Sequence, residues 1–391
     1  MILSPMSEMP QFGRRGIYFW TLSAFVLFQL PTGFAVNLPM FLVFRLLAGF
    51  CGSPCLSTGG CTISEMYEPA QIPIAICIWG CFGILGPVFG PIIGGYLSPV
   101  KGWRWTIWLV TWTCSVVLIA FFFLMPETSA ANILYRRAKR LGRATGDTRF
   151  RSQSEIDAAG YTWEDQSLVL GRAFTLTFTE PIVFFLDLYT ALLYGVLFLW
   201  FESFPLVFGD IYGFDVGQQG LAFLGILVGA VVTMPLFLLW LRRSIGPRMA
   251  QADFKPEAML LPTFFGSAAL PICLFWYGWS SRKSIHWIVP IIGSAFFSVG
   301  IITLFNPVLT YLGMVYPDHS ASVFAGNALF RASFGAAFPL FVGGLSGFGT
   351  TADYSQARQL FYKLGIAPGN SLLGGIAICF TAVPPLLYKV S

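Results

Sequence analysis

Charged residues are scarce in this sequence, and the motifs of several large protein classes are missing. Asp, Glu, Lys and Arg make up 10% of the 391 residues, whereas a soluble domain carries about a quarter. The sequence contains no Cys-x-x-Cys pair, no phosphate-binding P-loop, no nucleophile elbow and no zinc-peptidase motif. These absences argue against a soluble enzyme, a metal site and an ATP-driven pump. We therefore predict that the protein is not an enzyme and uses no cofactor.

Apolar residues dominate instead. Hydrophobic residues make up 56% of the chain, and the 40 Phe and 41 Gly are typical of helices that pack against lipid and closely against one another. The formal net charge of +5 is small, and the position of charges matters more than their sum. We expect the lipid bilayer to be a partner and nucleic acid not to be one.

Long apolar runs predict a membrane protein with many spans. A helix needs roughly 20 apolar residues to cross about 30 Å of hydrocarbon, and short turns rich in Pro, Gly and Asn separate such runs here. We predict ten spans, near residues 17–36, 38–63, 73–97, 105–125, 181–208, 217–241, 258–279, 286–312, 320–345 and 371–389.

The distribution of basic residues predicts the orientation. Arg and Lys are concentrated in the segment 136–151, in the loop 242–255 and at Arg14-Arg15. Strict alternation of the spans puts all three on the same side, which the positive-inside rule makes cytoplasmic. We expect a multi-pass protein of the plasma membrane with a cytoplasmic C-terminus.

A polar stretch divides the chain into three parts. We predict an N-terminal helical half at 1–125 with four spans, a cytoplasmic linker at 126–178, and a C-terminal half at 179–391 with six. The linker favours a helix with Leu134, Ala138 and Leu141 on one face and arginines elsewhere. Such a helix either lies on the anionic cytoplasmic leaflet or is simply solvated.

The span 73–97 carries an unusual glycine and proline pattern. Gly86, Gly90 and Gly94 recur every four residues, which predicts one flat stripe for close helix contact. Pro87 and Pro91 lack an N–H and allow the helix to bend. A lone stripe of small residues is common in membrane helices, whereas the combined pattern GPxxGPxxGG, which ends at Gly95, is far more specific.

This pattern resembles the antiporter signature in the fifth helix of drug:proton antiporters of the major facilitator superfamily. The resemblance extends over nearly the whole chain and points to the fungal cycloheximide and benomyl/methotrexate resistance branch. Other segments that match this branch are Leu3–Glu8 with Gly13-Arg14-Arg15 (the loop between helices two and three), Arg45–Gly49 (the fourth helix), Pro126–Ser129, Ile133–Arg137, Glu180–Ile182, Trp200–Pro205, Ile285–Gly293, Ala325–Asn327 and Arg331–Phe341.

The resemblance implies an all-α polytopic membrane protein with the two-bundle major facilitator fold and about ten complete transmembrane helices. We expect the first family helix and most of the second to be absent from this sequence. The implied function is export of drug-like small molecules or an endogenous secondary metabolite by proton antiport. The implied partners are a small amphipathic substrate and protons, and we expect a monomer. A polyamine or nutrient carrier and a non-transporting remnant remain alternatives.

Two charged residues are candidates for proton coupling. Arg45 lies about 10 Å below the outer surface, because seven residues at about 1.5 Å each precede it in its helix. By resemblance it tunes a protonatable partner, although a structural ion pair or snorkelling also explains it. Glu202 is interpreted as the sole acid well inside a span of the second half, and the alternative is a hydrogen-bonded residue of the outer rim. Glu65, near a cytoplasmic helix end, is expected to be solvated.

Aromatic and amide side chains are candidates for a substrate cavity. Amides inside spans either bind substrate or bridge helices, and aromatic rings either line a cavity for flat compounds or anchor and pack the helices. The predicted cavity residues are Trp79, Tyr194, Trp200, Trp276, Phe305, Asn306, Tyr311 and Asn327. The predicted gating residues are Gly86, Pro87, Gly90, Pro91, Gly94 and Gly95, and the cytoplasmic loop motif is Gly13, Arg14 and Arg15. No metal ligand is predicted.

One segment departs from the family pattern. Residues Val342 to Gln356, rich in Gly, Ser and Thr, interrupt the match between Phe341 and Ala357. Valine codons begin with GT, and a glutamine codon can end in AG, so these residues fit the translation of a retained short intron. Transcripts that all retain the segment would exclude this hypothesis, and the segment would then be an outer loop.

Overall fold

The computed structural model describes residues 6, 13–146, 149–158, 174–249, 254–316, 319–344 and 365–385. Within these residues the ordered secondary structure is helical. The α-helices of at least seven residues are numbered here in chain order. They are α1 (Gly13–Gly33), α2 (Leu38–Gly52), α3 (Pro54–Met66), α4 (Ile72–Lys101), α5 (Trp103–Leu124), α6 (Ala130–Thr145), α7 (Pro181–Phe204), α8 (Val216–Ala222), α9 (Leu224–Trp240), α10 (Thr263–Ser280), α11 (Ile288–Val315), α12 (Ser320–Gly344) and α13 (Ile366–Thr381).

A helix occurs at each of the ten predicted spans. Eight stretches are long and apolar enough to cross a membrane. The helices at the other two positions, α1 and α12, are not among these eight. Charged and amide side chains lower the hydropathy of both, namely Arg14, Arg15 and Gln29 in α1 and Asn327 and Arg331 in α12. The eight candidate spans are Leu38–Met66, Ile72–Lys101, Trp103–Leu124, Pro181–Ile211, Val216–Met249, Pro256–Ser280, Ile288–Val315 and Ile366–Pro385.

Helix boundaries follow local chemistry. The side chain of Asn37 caps α2 by accepting a hydrogen bond from the amide of Met40 at 2.9 Å. Gly102, at φ +84°, separates α4 from α5. The predicted linker helix is confirmed as α6, which begins after Ser129 and ends at Gly146, a left-handed C-cap at φ +71°.

The helices form two compact units. Unit 1 contains Met1–Glu68, Lys101–Glu180 and Tyr316–Ala328, and unit 2 contains Pro69–Val100, Pro181–Val315 and Leu329–Ser391. Helix α4 therefore groups with the C-terminal helices, and α12 contributes its beginning to unit 1 and the rest to unit 2. The predicted three-part division with a linker at 126–178 stays a prediction, and most of the segment 342–356 lies outside the described residues.

In unit 1, α1 packs against α2, α3 and α5. The Tyr18 hydroxyl lies 3.1 Å from the Thr62 hydroxyl. At the other end of α1, the ring of Phe34 meets Trp108 edge-on at a centroid distance of 4.9 Å. Arg104 donates a hydrogen bond to the carbonyl of Ala35 at 3.0 Å. These contacts fix both ends of α1.

In unit 2, small residues bring the helices together. A side chain on Gly225 or Gly229 of α9 would collide with α11, and one on Gly278 of α10 would collide with α13. An aromatic cluster fills the space between α7, α10 and α11. It consists of Trp200, Phe204, Tyr277 and Phe297.

The contact face of α4 differs from the predicted one. Among the described residues, no atom lies within 4 Å of the position that a Cβ would take on Gly86, Gly90 or Gly94. The predicted glycine stripe therefore makes no close contact with the described residues, and its role in gating stays a prediction. The close contact of α4 lies on its other side, which packs against α8. There a Cβ on Gly95 would fall 2.7 Å from the Val216 carbonyl oxygen, and one on Gly220 would fall 2.5 Å from the carbonyl oxygen of Pro91.

Candidate functional site

The buried Arg331 lies between two aromatic rings in unit 2. Its guanidinium carbon is 4.7 Å from the centre of the Tyr194 ring and 4.7 Å from that of Phe305. The two ring centres are 6.0 Å apart. Arg331 is 5% exposed, so the rings replace much of the water that a guanidinium normally contacts. Helices α7, α11 and α12 each contribute one of the three side chains.

Polar partners do not compensate this cation. The Nε atom of Arg331 is buried without a hydrogen-bond acceptor. Within the described part of the chain, ion pairs join Arg14 to Glu65 and Arg136 to Glu127, and none involves Arg331. A charge inside a membrane protein is costly unless it is paired or faces a cavity. Arg331 is therefore the residue of unit 2 whose burial most needs a functional explanation.

Asn306, the neighbour of Phe305, adds an amide to this region. It is 1% exposed, and its Nδ2 donates to the carbonyl of Ile302 at 3.1 Å. Its Oδ1 has no partner and occupies the space that a side chain on Gly80 of α4 would need. Residue 80 must therefore be glycine for α4 and α11 to approach here.

A second buried charge lies on α7. Asp187 is 0% exposed and precedes Tyr194 by seven residues, which is about two helical turns, so both lie on one face of α7. The interpretation of Glu202 as the sole acid well inside a span of the second half is therefore wrong. The signal was visible in the sequence, because Asp187 interrupts an apolar run from Ile182 to Leu199. Glu202 is half-buried, and within the described residues no ion pair is formed by it.

The structure brings together some of the predicted cavity residues and separates others. Tyr194 and Phe305 meet at Arg331. Asn306 faces Gly80 of α4, and the half-buried Trp79 adjoins Gly80. Trp200 is instead 0% exposed within the aromatic cluster, where it packs rather than faces a cavity. Trp276 is exposed and stacks on Phe296 at 5.3 Å. Tyr311 and Asn327 are buried.

In unit 1, the loop motif Gly13-Arg14-Arg15 forms a charged cluster with two glutamates. Arg14 is 2% exposed, and its Nε donates to Glu65 at 2.8 Å, with a second hydrogen bond from Nη2 to the same carboxylate. Glu65 is 39% exposed at its side chain, so it contacts solvent as expected and pairs with Arg14 in addition. Arg15 donates to the carbonyl of Phe122 at 2.9 Å. The arginine pair thus joins α1 to α3 and α5.

Glu127 holds the start of α1, a role that the sequence analysis did not assign. Its Oε1 accepts from the amide of Arg14 at 2.9 Å and from the amides of Thr128 and Ser129 at 3.1 Å each. A carboxylate at the first turn of a helix satisfies free N–H groups and complements the helix dipole. In the sequence, Glu127 stood out only as part of the segment Pro126–Ser129, which resembles the family, and nothing there indicated its contact with α1.

Arg45 is exposed on α2, and its guanidinium carbon lies 5.9 Å from the ring centre of Phe41. In the described part of the chain, no carboxylate lies within 4 Å of it. Its coupling role stays a prediction.

Comparison with known proteins identifies the family. The model of the Major Facilitator Superfamily matches residues 1–339. The chain is 39% identical over its whole length to Transporter mfs1 of Schizosaccharomyces pombe, covering 72% of that protein. It is 36% identical over its whole length to Multidrug transporter FLR2 of Candida glabrata, covering 64%. It is 33% identical over 98% of its length to the Cycloheximide resistance protein of Candida maltosa, covering 69%. The chain thus spans about two thirds of the length of these relatives.

A solved structure with a similar fold supports the same assignment. The human organic anion transporter MFSD10 aligns with 98% of this chain and 79% of its own, at a TM-score of 0.64 and 16% identity. At that identity the likeness concerns the fold. The fungal resistance-transporter resemblance seen in the motifs is confirmed by the curated relatives. The chain belongs to the major facilitator superfamily.

Proposed function

We propose that this protein is a secondary active transporter that exports drug-like small molecules or an endogenous secondary metabolite in exchange for protons. The observation that carries the proposal is the meeting of Tyr194, Phe305 and Arg331 inside unit 2, where the buried amide of Asn306 follows Phe305 on the same helix. Aromatic walls with a few polar groups suit a flat amphipathic compound. The names of the fungal relatives support the same substrate class.

Proton exchange needs a group that changes charge inside the protein. Arg45 stays protonated at any physiological pH, so it acts through an acid and not as the proton carrier. Asp187 and Glu202 are the acids of α7 that can carry the proton, and Asp187 is the more deeply buried. Arg45 and Glu202 thus remain candidates for proton coupling, and Asp187 is a third candidate.

Conformational change requires that helices slide or rock against each other. The α4–α8 contact at Gly95 and Gly220 leaves no room for side chains, so small shifts there are transmitted from backbone to backbone. Pro87 and Pro91 lie within α4 and free carbonyls of the preceding turn. We assign gating to this proline-containing helix, with the packed surface at Gly95 and the open surface at Gly86, Gly90 and Gly94.

The experiment measures efflux of a fluorescent amphipathic dye from yeast that lacks its own pumps. Protonophore-sensitive efflux that is lost in Arg45→Ala supports proton-coupled export. A chain that reaches the plasma membrane and moves no dye contradicts it and favours the non-transporting alternative. A C-terminal epitope that antibodies reach only after permeabilisation would support the cytoplasmic C-terminus, and the elution volume in detergent tests the monomer.

The site around Arg331 argues against a polyamine carrier. The fixed positive charge of Arg331 repels a polycation, and a single carboxylate, that of Asp187, cannot balance the several positive charges of a polyamine. Spermidine is therefore a useful negative control in the efflux experiment.

A further inference from the structure

The guanidinium of Arg331 is held in a way that leaves its donors available. Cation–π contact with Tyr194 and Phe305 uses the faces of the two rings and none of the five N–H donors of arginine. The Nε–H is buried without an acceptor, and no hydrogen bond in the described residues involves the side chain. The two rings thus hold the guanidinium of Arg331 in place, and no described carboxylate neutralises its charge.

Acids elsewhere in unit 2 do not provide the missing counter-charge by direct contact. Asp187 lies on the same face of α7 as Tyr194, but in the described structure it is not within 4 Å of the Arg331 nitrogens, and neither is Glu202. An uncompensated cation in a membrane interior is a strong attractor for an anion. Because no described acid supplies this anion, a bound compound is a source for it.

From this geometry we infer that Arg331 binds the carboxylate of an aromatic organic acid, so that the transported compounds include flat aromatic carboxylates. The inference rests on the proposed export function and narrows its substrate class. A planar guanidinium offers two parallel N–H groups that match the two oxygens of a carboxylate. The rings of Tyr194 and Phe305 offer flat apolar surfaces for the aromatic part of the compound.

The neighbouring amide extends the selectivity. The Oδ1 of Asn306 is buried, unpartnered and packed against Gly80 of α4, so a hydroxyl or N–H group of the compound reaches it only when α4 moves away from α11. An arginine keeps its charge throughout the physiological pH range, which means that the compound binds as the anion and not as the neutral acid.

The test uses two fluorescent probes that differ in charge and little in shape, anthracenecarboxylate and anthracenemethanol. In proteoliposomes with the purified full chain and an imposed pH gradient, we expect transport of the carboxylate at a lower KM than the alcohol. Arg331→Gln is expected to raise the KM for the carboxylate about tenfold or more, because charge-assisted hydrogen bonds are lost. The KM for the alcohol is expected to rise clearly less than that for the carboxylate, because the alcohol forms no charge-assisted hydrogen bond. Arg331→Lys is expected to be intermediate, since a lysine keeps the charge and loses the planar fork.

Arg243→Gln is the matched control, because Arg243 is an exposed arginine at the end of α9. It is expected to leave both probes unaffected. Equal KM values for carboxylate and alcohol in the wild-type chain overturn the inference while the export function stands. Equal losses for both probes in Arg331→Gln also overturn it, because they indicate a structural role.

If the wild-type chain transports neither probe, the export function fails and the binding inference is still decided. In that case equilibrium binding in detergent, followed by quenching of anthracene fluorescence, compares the two probes. Preferential binding of the carboxylate that Arg331→Gln abolishes supports the site, and absence of that preference rejects it. If Arg331→Gln does not reach the membrane, Arg331→Lys and the wild-type probe comparison decide the question.

Discussion

The carboxylate of Glu127 occupies the space that any side chain at residue 13 would need. A Cβ built on Gly13 would fall 2.5 Å from Oε2 of Glu127, and Gly13 itself has a φ of +67°. Both facts demand glycine, the first for space and the second for backbone conformation. The start of α1 is thus locked to the segment that precedes α6.

We therefore predict that Gly13→Ala destabilises the protein. The left-handed backbone alone costs an alanine about 1–2 kcal/mol, and the displaced Glu127 loses hydrogen bonds in addition. The measurement is the apparent melting temperature of the purified chain in detergent. Gly16→Ala is the matched control, because no atom lies within 4 Å of its Cβ position and its φ is ordinary. An equal effect of the two substitutions would contradict the prediction.

The Arg14–Glu65 pair should be coupled energetically. Arg14 is 2% exposed and Glu65 is 39% exposed at the side chain, so solvent screens the pair only in part. We expect Arg14→Gln to destabilise by about 1–3 kcal/mol, since hydrogen bonds to a charged partner are lost. The double variant with Glu65→Gln should cost less than the sum of the single changes. Arg15→Gln, whose contact is a carbonyl on the exposed side, is the control, and strict additivity would argue against the coupling.

The sequence predicted the structure best where a feature depends on one continuous segment, as the position of a helix does. Apolar runs placed a helix at every predicted span, and the linker helix followed from the pattern around Leu134 and Leu141. The glycine stripe shows the limit, because periodicity defines the faces of a helix and does not say which face packs. Helix α4 has Gly86, Gly90 and Gly94 on an open surface and uses Gly95 for contact.

The candidate site was only partly predictable for a related reason. Tyr194, Phe305 and Asn306 were chosen as aromatic or amide residues within spans, which is a property of each residue alone. Arg331 was seen only as part of a family-like segment, because its role depends on two rings that lie far away in the sequence. Asp187, in contrast, was recognisable from the sequence alone, because an acid inside an apolar run is a functional candidate by itself.

The approach of α4 to α11 gives a third prediction. A methyl group at residue 80 collides with Oδ1 of Asn306, so Gly80→Ala should destabilise the chain by about 1–3 kcal/mol, as overpacking does. Asn306→Ala removes the obstacle and should restore most of the melting temperature lost in Gly80→Ala. Gly83→Ala is the control, since its Cβ position is open. If the double variant is no more stable than Gly80→Ala, the two residues are not in contact as described.

The last prediction concerns the proton. Asp187 is fully buried on α7, whereas Glu202, further along the same helix, is half-buried. An acid buried inside an apolar span is a functional candidate by itself, so Asp187 is the stronger candidate for the group that takes up the proton in exchange for the substrate. Asp187→Asn keeps the shape and removes the titration. In proteoliposomes we expect this variant to equilibrate dye down its concentration gradient without responding to an imposed pH gradient.

Glu202→Gln tests the alternative carrier in the same assay, and its response to the pH gradient should resemble that of the wild-type chain. Asp187→Glu should restore part of the response, because it returns an ionisable group to nearly the same place. A pH-driven accumulation of dye by Asp187→Asn equal to that of the wild type would remove Asp187 from the mechanism. If Glu202→Gln then abolished the accumulation, proton exchange would have to occur near the end of α7, where the carboxylate is open to water. Coupling would in that case occur at the half-buried Glu202 and not at the buried Asp187.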